Sequence, residues 1–188
     1  MAKDLSQYIR KGLKLEQFMK QMTKNQEAFR DGYEKFAWPS DDDREFYDSL
    51  KFRDDLRCLI LAADWCGDVV RNVPVVFKLM EAAEIETEVL IMEEHLEVMD
   101  QFLTMGGRSI PVVIFVDTGG YVLGQWGPRP AHVQEPMVRF KQNNPDRSAA
   151  DYEDNLKQTR EEIKKRYGEG TGYQALIVTE IRELLSSF

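Results

Sequence analysis

Leu56-Arg57-Cys58-Leu59-Ile60-Leu61-Ala62-Ala63-Asp64-Trp65-Cys66-Gly67-Asp68 is the stretch that decides the fold. Leu56 through Ala63 is a short, nearly unbroken apolar run, the pattern of a central strand buried on both faces. Asp64-Trp65-Cys66-Gly67 punctuates it. Beyond, Val69, Val73, Val76, Phe77 and Met80 share one face of a helix from about 68 to 83. A cysteine thus falls where a helix begins. Unsatisfied backbone N–H groups and the positive end of the helix dipole there favour the thiolate, the nucleophilic form. Gly67 lets a partner backbone come close, and Trp65 offers an apolar wall.

Working outward, 85–91 reads as a strand and 96–103 as a helix closed by Gly106-Gly107. Pro111 to Val116 is a third strand. Thr118-Gly119-Gly120 signals a hairpin turn, and 121–126 is a fourth strand. Gly127-Pro128-Arg129-Pro130 ends it, and a helix over about 131–142 follows. The order β-α-β-α-β-β-α predicts a parallel crossover, then an antiparallel hairpin, with helices on the sheet faces.

Upstream, Leu15, Phe18, Met19, Met22, Phe29, Tyr33 and Phe36 keep a three-and-four spacing, which predicts one amphipathic helix over 15–36. Ser40 before Asp41, Asp42 and Asp43 is a good start for a further short helix. The tail, 148–188, carries two helical patterns split by Gly168-Glu169-Gly170-Thr171-Gly172. That stretch follows a helix and lacks a Gly-Lys-Ser/Thr ending, so it reads as a helix cap and hinge, not a phosphate loop. The organisation predicted is an N-terminal helical extension (1–52), a core (53–145) and a C-terminal helical extension (146–188), both extensions packing on the core.

The chain has 188 residues and a net charge of -8, which argues against nucleic acid as a main partner. No apolar run approaches the roughly 18 residues that span a bilayer. The opening MAKDLSQYIRKGLK lacks the apolar segment of a secretory signal, so a cytoplasmic location and free thiols are expected. His95 and His132 have no ligand partner at metal spacing, and Glu93-Glu94 reads as a helix start. No metal and no organic cofactor is implied.

The junction at Trp65-Cys66-Gly67-Asp68 resembles the thioredoxin superfamily, whose site is W-C-G-x-C after the first central strand. Pro74, eight residues after Cys66, stands where that family kinks its active-site helix. Arg108-Ser109-Ile110-Pro111 resembles its cis-proline loop, and Gly127 its substrate-flanking glycine. The block from Met99 to Pro130 is similar to bacterial cytosolic thioredoxin-like proteins, often W-C-G-D-C. The resemblance covers about 56–142 and implies an α/β thioredoxin-like fold, a central mixed sheet flanked by helices. It also implies roles: Cys66 as attacking thiol, Pro111 in cis against the sulfur, and the backbone of Ile110 pairing with an extended substrate as an added strand. Trp65, Gly67 and Arg108 complete the expected substrate surface, with Arg108 and Arg129 as candidate positive charges near the thiol. Arg71 reads as solvated.

Two departures matter. The second active-site cysteine of the family would be at 69, where this chain has Val69. The buried acid of many thioredoxins would be at 60, where it has Ile60; Asp64 and Asp68 flank the thiol instead, and their charge opposes the thiolate. Cys58 does not serve as the resolving thiol. Eight residues of strand span about 26 Å at about 3.3 Å each, against about 7 Å between the Cα atoms of a disulfide. Cys58 reads as a small buried hydrophobe.

Three functions follow as expectations. The first is a monothiol thiol–disulfide exchanger serving cell redox homeostasis, with protein disulfides or a low-molecular-weight thiol as partners. The second is a catalytically degenerate binding module that holds an extended peptide around Trp65, Ile110 and Gly127. The third is a redox sensor capped reversibly at Cys66.

Overall fold

A computed structural model describes residues 3–188. The decisive stretch forms strand β1 (Leu56–Ala62) followed by the long helix α4 (Gly67–Ala82). Preceding them are α1 (Leu15–Gln21), α2 (Gln26–Glu34) and α3 (Asp41–Ser49). After α4 come β2 (Glu86–Ile91), the single turn α5 (Leu96–Met99), β3 (Val112–Asp117), β4 (Val122–Trp126) and α6 (Ala131–Asn143). The tail contributes α7 (Tyr152–Tyr167) and α8 (Gln174–Leu185).

The strands make one mixed sheet in the order β2-β1-β3-β4. β1 is central and buried except at Arg57, as an unbroken apolar strand must be. It runs parallel to β2, with Ile60 opposite Val89, and antiparallel to β3, with Ile60 opposite Val113. β3 and β4 form the antiparallel hairpin, turned at Gly120 with φ +91°. This is an α/β thioredoxin-like fold.

The N-terminal pattern is corrected by the structure. Instead of one helix over 15–36 there are two, broken at 22–25, with Asn25 in the left-handed region at φ +58°. The cause lies outside the segment. Asp64 Oδ2 accepts the backbone N–H groups of Thr23 at 2.7 Å and Lys24 at 3.1 Å, and Asn25 Nδ2 donates to the Asp64 carbonyl at 2.8 Å. A tertiary carboxylate takes donors that a continuous helix would have kept for itself.

The helix expected over 96–103 is likewise shorter. After Met99 the chain tightens into single turns that bury Phe102. It then reverses between Thr104 and Gly107 with Met105 and Gly106 at positive φ. By contrast, the start of α3 is as read: Ser40 Oγ accepts the Asp43 N–H at 3.1 Å.

Leu13 bridges Val89 of β2, and the helices before and after the sheet-forming segment meet each other. Phe18 and Phe29 are buried edge-to-face, and Tyr47 of α3 is buried and donates its hydroxyl to the Val178 carbonyl in α8. α8 also reaches the end of the sheet. Glu180 accepts from Trp126 Nε1 at 2.7 Å and from the Ala131 N–H at 2.8 Å, tying β4 to the first turn of α6. The pieces flanking Gly127 are therefore held from the C-terminal side.

Candidate active site

Cys66 is the N-cap residue of α4, extended at φ −85° and ψ 120°. Its sulfur stands beside the first-turn N–H groups of α4, which have no partner inside the helix. Its S–H points to the carbonyl of Ile110 at 3.5 Å. The Ile110–Pro111 peptide is cis, and both residues are buried. Among the described residues the Ile110 N–H has no partner.

Burial is the largest influence on this thiol and pushes it up. The Val69 N–H pulls it back, the nearby Asp68 carboxylate raises it again, and the Asp68 N–H and Arg129 lower it. The sum lies above the ordinary cysteine value, so Cys66 is chiefly a protonated thiol at neutral pH. Cys58, fully buried on β1, is pushed far higher by the same desolvation. Both cysteines are free thiols.

The structure brings most of the sequence-nominated residues around the sulfur. Trp65 is half exposed, and its Nε1 donates to Glu93 Oε1 at 2.6 Å, which fixes the indole as a wall. Glu93 thus has a partner that a helix-start reading did not foresee. A Cβ placed on Gly67 meets nothing within 4 Å, so the surface beside the sulfur is open. Gly127, with φ +116°, lies directly against Pro111: a Cβ there would clash with the Pro111 carbonyl oxygen. Only glycine fits this position. The Gly127–Pro128 peptide is also cis, which the sequence alone did not signal.

Arg108, two residues before Ile110, has a carboxylate partner of its own. It pairs with Asp100 through two hydrogen bonds of 2.7 and 2.9 Å on an exposed loop. Arg129 faces the thiol side, bridged to Asp68 at 2.7 Å with both side chains about five-sixths buried. Arg71 is exposed, as read, and its guanidinium lies over the Tyr167 ring at 4.7 Å. Sequence reasoning missed Tyr167 and Asn72 altogether. They belong to the C-terminal extension and to the second turn of α4, and no motif links them to Cys66.

Among the described residues no group of three or more His, Cys, Asp or Glu side chains is placed to hold a metal ion. No described helix is long and apolar enough to cross a membrane. What remains is a single partly accessible thiol at a helix N-terminus, facing a buried cis-proline loop on a mixed sheet. That is the arrangement of a thioredoxin-fold protein.

Comparison with known proteins agrees. Residues 12–151 match a family model described as Thioredoxin, which is most of the chain, and the chain belongs to that family. Among solved structures it is similar to a protein of unknown function from Pseudomonas aeruginosa, with 15% identity, 98% of each chain covered and a TM-score of 0.67. It is also similar to an HIV epitope-scaffold, with 15% identity, 99% of each chain covered and a TM-score of 0.65. Both likenesses concern the fold. No curated protein matches the sequence.

Proposed function

We propose that this protein is a monothiol thiol–disulfide exchange protein with Cys66 as its nucleophile. The observation that carries the reading is the sulfur's position, at the N-cap of α4 and against the carbonyl of Ile110 in the cis-proline loop. The Cys66 thiolate attacks one sulfur of a disulfide and forms a mixed disulfide, and the other half leaves as a thiolate. An external low-molecular-weight thiolate then attacks the mixed disulfide and releases Cys66, carrying the substrate sulfur away as a new disulfide. Two-electron balance is kept at each step, and no second protein cysteine is needed. Val69 stands where an internal resolving thiol would stand, which is why resolution comes from outside.

A raised thiol slows this chemistry without abolishing it. Fewer molecules are ionised, but each thiolate is a stronger nucleophile, so about half of the loss on a logarithmic scale is recovered. The free N–H of Ile110 and the open face at Gly67 suit an extended substrate laid down as an extra strand. Trp65 and Gly127 flank that strand. A reducing, cytosolic compartment supplies the thiol.

The test is turnover of a glutathionylated model peptide in excess reduced glutathione, followed by the appearance of peptide thiol. The wild-type chain accelerates release, and Cys66→Ser removes the acceleration. A wild-type rate equal to that of Cys66→Ser overturns the reading. The raised thiol favours a second reading, a binding module on the same groove, and under it Cys66→Ser keeps its affinity for an extended peptide.

A further inference from the structure

Asp68 lies in the first turn of α4, two residues after Cys66, and its side chain is bound on both oxygens. Arg129 reaches Oδ1 through Nε at 2.9 Å and Oδ2 through a terminal nitrogen at 2.7 Å. The hydroxyl of Tyr167, at the end of α7, donates to Oδ1 at 2.8 Å across 99 positions of sequence. We infer that Arg129 and Tyr167 are positioning residues for the Cys66 reaction, acting through Asp68, so that the C-terminal extension is part of the thiol site. The inference rests on the exchange reading for its biological meaning, but the thiol reports it directly.

Tyr167 is itself held in place. Asn72, buried on α4, donates through Nδ2 to the Tyr167 oxygen at 2.9 Å and to the Pro128 carbonyl at 3.0 Å. The Tyr173 ring meets Tyr167 edge-on at 5.2 Å, and the Tyr173 hydroxyl donates to the Arg71 carbonyl at 3.1 Å. Arg129 is fixed at its other nitrogen by Gln134 Oε1 at 2.6 Å. The network therefore joins α4, the segment after β4, α6 and the tail around one carboxylate.

A carboxylate in the first turn of the helix that carries the thiol disfavours the thiolate, and a guanidinium beside it restores part of that. The charged groups facing Cys66 are Asp68 from α4 and Arg129 from the loop after β4. Those facing Asp68 are Arg129 and, from α7, the Tyr167 hydroxyl; Arg71 lies across the Tyr167 ring. Asp64 takes no part, since its carboxylate is turned to Thr23 and Lys24. Removing the positive partner leaves the negative one to act on the sulfur alone. Removing the hydroxyl strips one donor from Asp68 and concentrates its charge.

The experiment is the pH profile of Cys66 alkylation by iodoacetamide, in full-length chains carrying Cys58→Ser. Asp68→Asn moves the midpoint down and speeds neutral-pH alkylation severalfold. Arg129→Gln moves it up by roughly half a pH unit or more, and Arg129→Lys restores most of the shift. Tyr167→Phe moves it up by less. In an Asp68→Asn background, Tyr167→Phe leaves the midpoint where Asp68→Asn put it, because the carboxylate it acted through is gone. A merely structural tyrosine would disturb both backgrounds alike. Midpoints unmoved by Asp68→Asn and Arg129→Gln, or a Tyr167→Phe shift that persists in the double variant, overturn the inference. Shifts as stated in a chain that does not turn over disulfides overturn the exchange reading alone.

Discussion

The Asp64 carboxylate, two residues before Cys66, accepts the backbone N–H of Thr23 at 2.7 Å instead of facing the sulfur. Burial raises this carboxyl, but the N–H groups of Thr23 and Lys24, the Thr23 hydroxyl and the Lys24 charge outweigh it and hold it below the usual range. One residue of the strand-to-helix junction thereby docks the turn between α1 and α2. Asp64→Ala is expected to cost about 1–2 kcal/mol, less than the full worth of hydrogen bonds to a charged group because solvent screens this partly exposed carboxylate. Urea denaturation reads that loss. The sign with pH follows from a depressed folded-state value. The contribution is present above the unfolded carboxyl value of about 3.9 and is lost as pH falls through the lower folded value. The gap between wild type and Asp64→Ala therefore closes in acid.

The thiol at Cys66 titrates above a free cysteine because burial dominates its surroundings. Alkylation in a Cys58→Ser chain is expected to have its midpoint above about 8.5 and to be slow at neutral pH. Stopped-time mass spectrometry measures it. A midpoint at or below the free value contradicts the balance of burial over helix-end donors. In the wild-type chain Cys58 stays unmodified until the protein unfolds, since it is fully buried on the central strand.

Gly127 and Gly67 separate packing from substrate approach. Gly127→Ala forces a Cβ against the Pro111 carbonyl in a backbone region that side chains avoid. A loss of about 2–3 kcal/mol is expected, together with loss of exchange. Gly67→Ala adds a methyl into open space, and its stability should stay within about 0.5 kcal/mol of wild type. A fall in exchange rate for Gly67→Ala at unchanged melting temperature locates the substrate over that face. An unchanged rate places the substrate elsewhere.

Val69 is buried one turn after Cys66 on the same helix. Cys at this position lies at helical i,i+3 spacing from Cys66, within reach of a disulfide. Val69→Cys is expected to reduce a model disulfide in a single turnover without added thiol, ending with an oxidised pair at 66 and 69. Free-thiol titration before and after the reaction counts the pair. An inert Val69→Cys chain means that the helix end does not present both sulfurs to a substrate.

The sheet was legible because Leu56 to Ala63 and Pro111 to Val116 are apolar enough to admit only central strands, and the structure pairs them antiparallel. The single-helix reading of 15–36 failed because the spacing of Phe18, Met22 and Phe29 records which residues face the core. It does not record a backbone break imposed by Asp64 from outside the segment. At the site, Trp65, Cys66 and Gly67 are neighbours in sequence, whereas Ile110, Pro111 and Gly127 were reached only through the resemblance of their loops to those of the thioredoxin superfamily. Arg108 and Arg129 looked equivalent, because charge in a sequence has no direction; one pairs with Asp100 and the other with Asp68. Tyr167 left no trace, since an ordinary tyrosine at the end of an amphipathic helix reads only as core.

The account stands on Cys66 acting as a nucleophile toward disulfides. The most direct measurement is intact-mass analysis of the Cys58→Ser chain after incubation with glutathione disulfide at about pH 9, where a raised thiol ionises. One glutathione adduct per chain is expected, mapped to Cys66, removed by added reduced thiol and absent in the chain that also carries Cys66→Ser. A folded chain that stays unmodified under these conditions contradicts it.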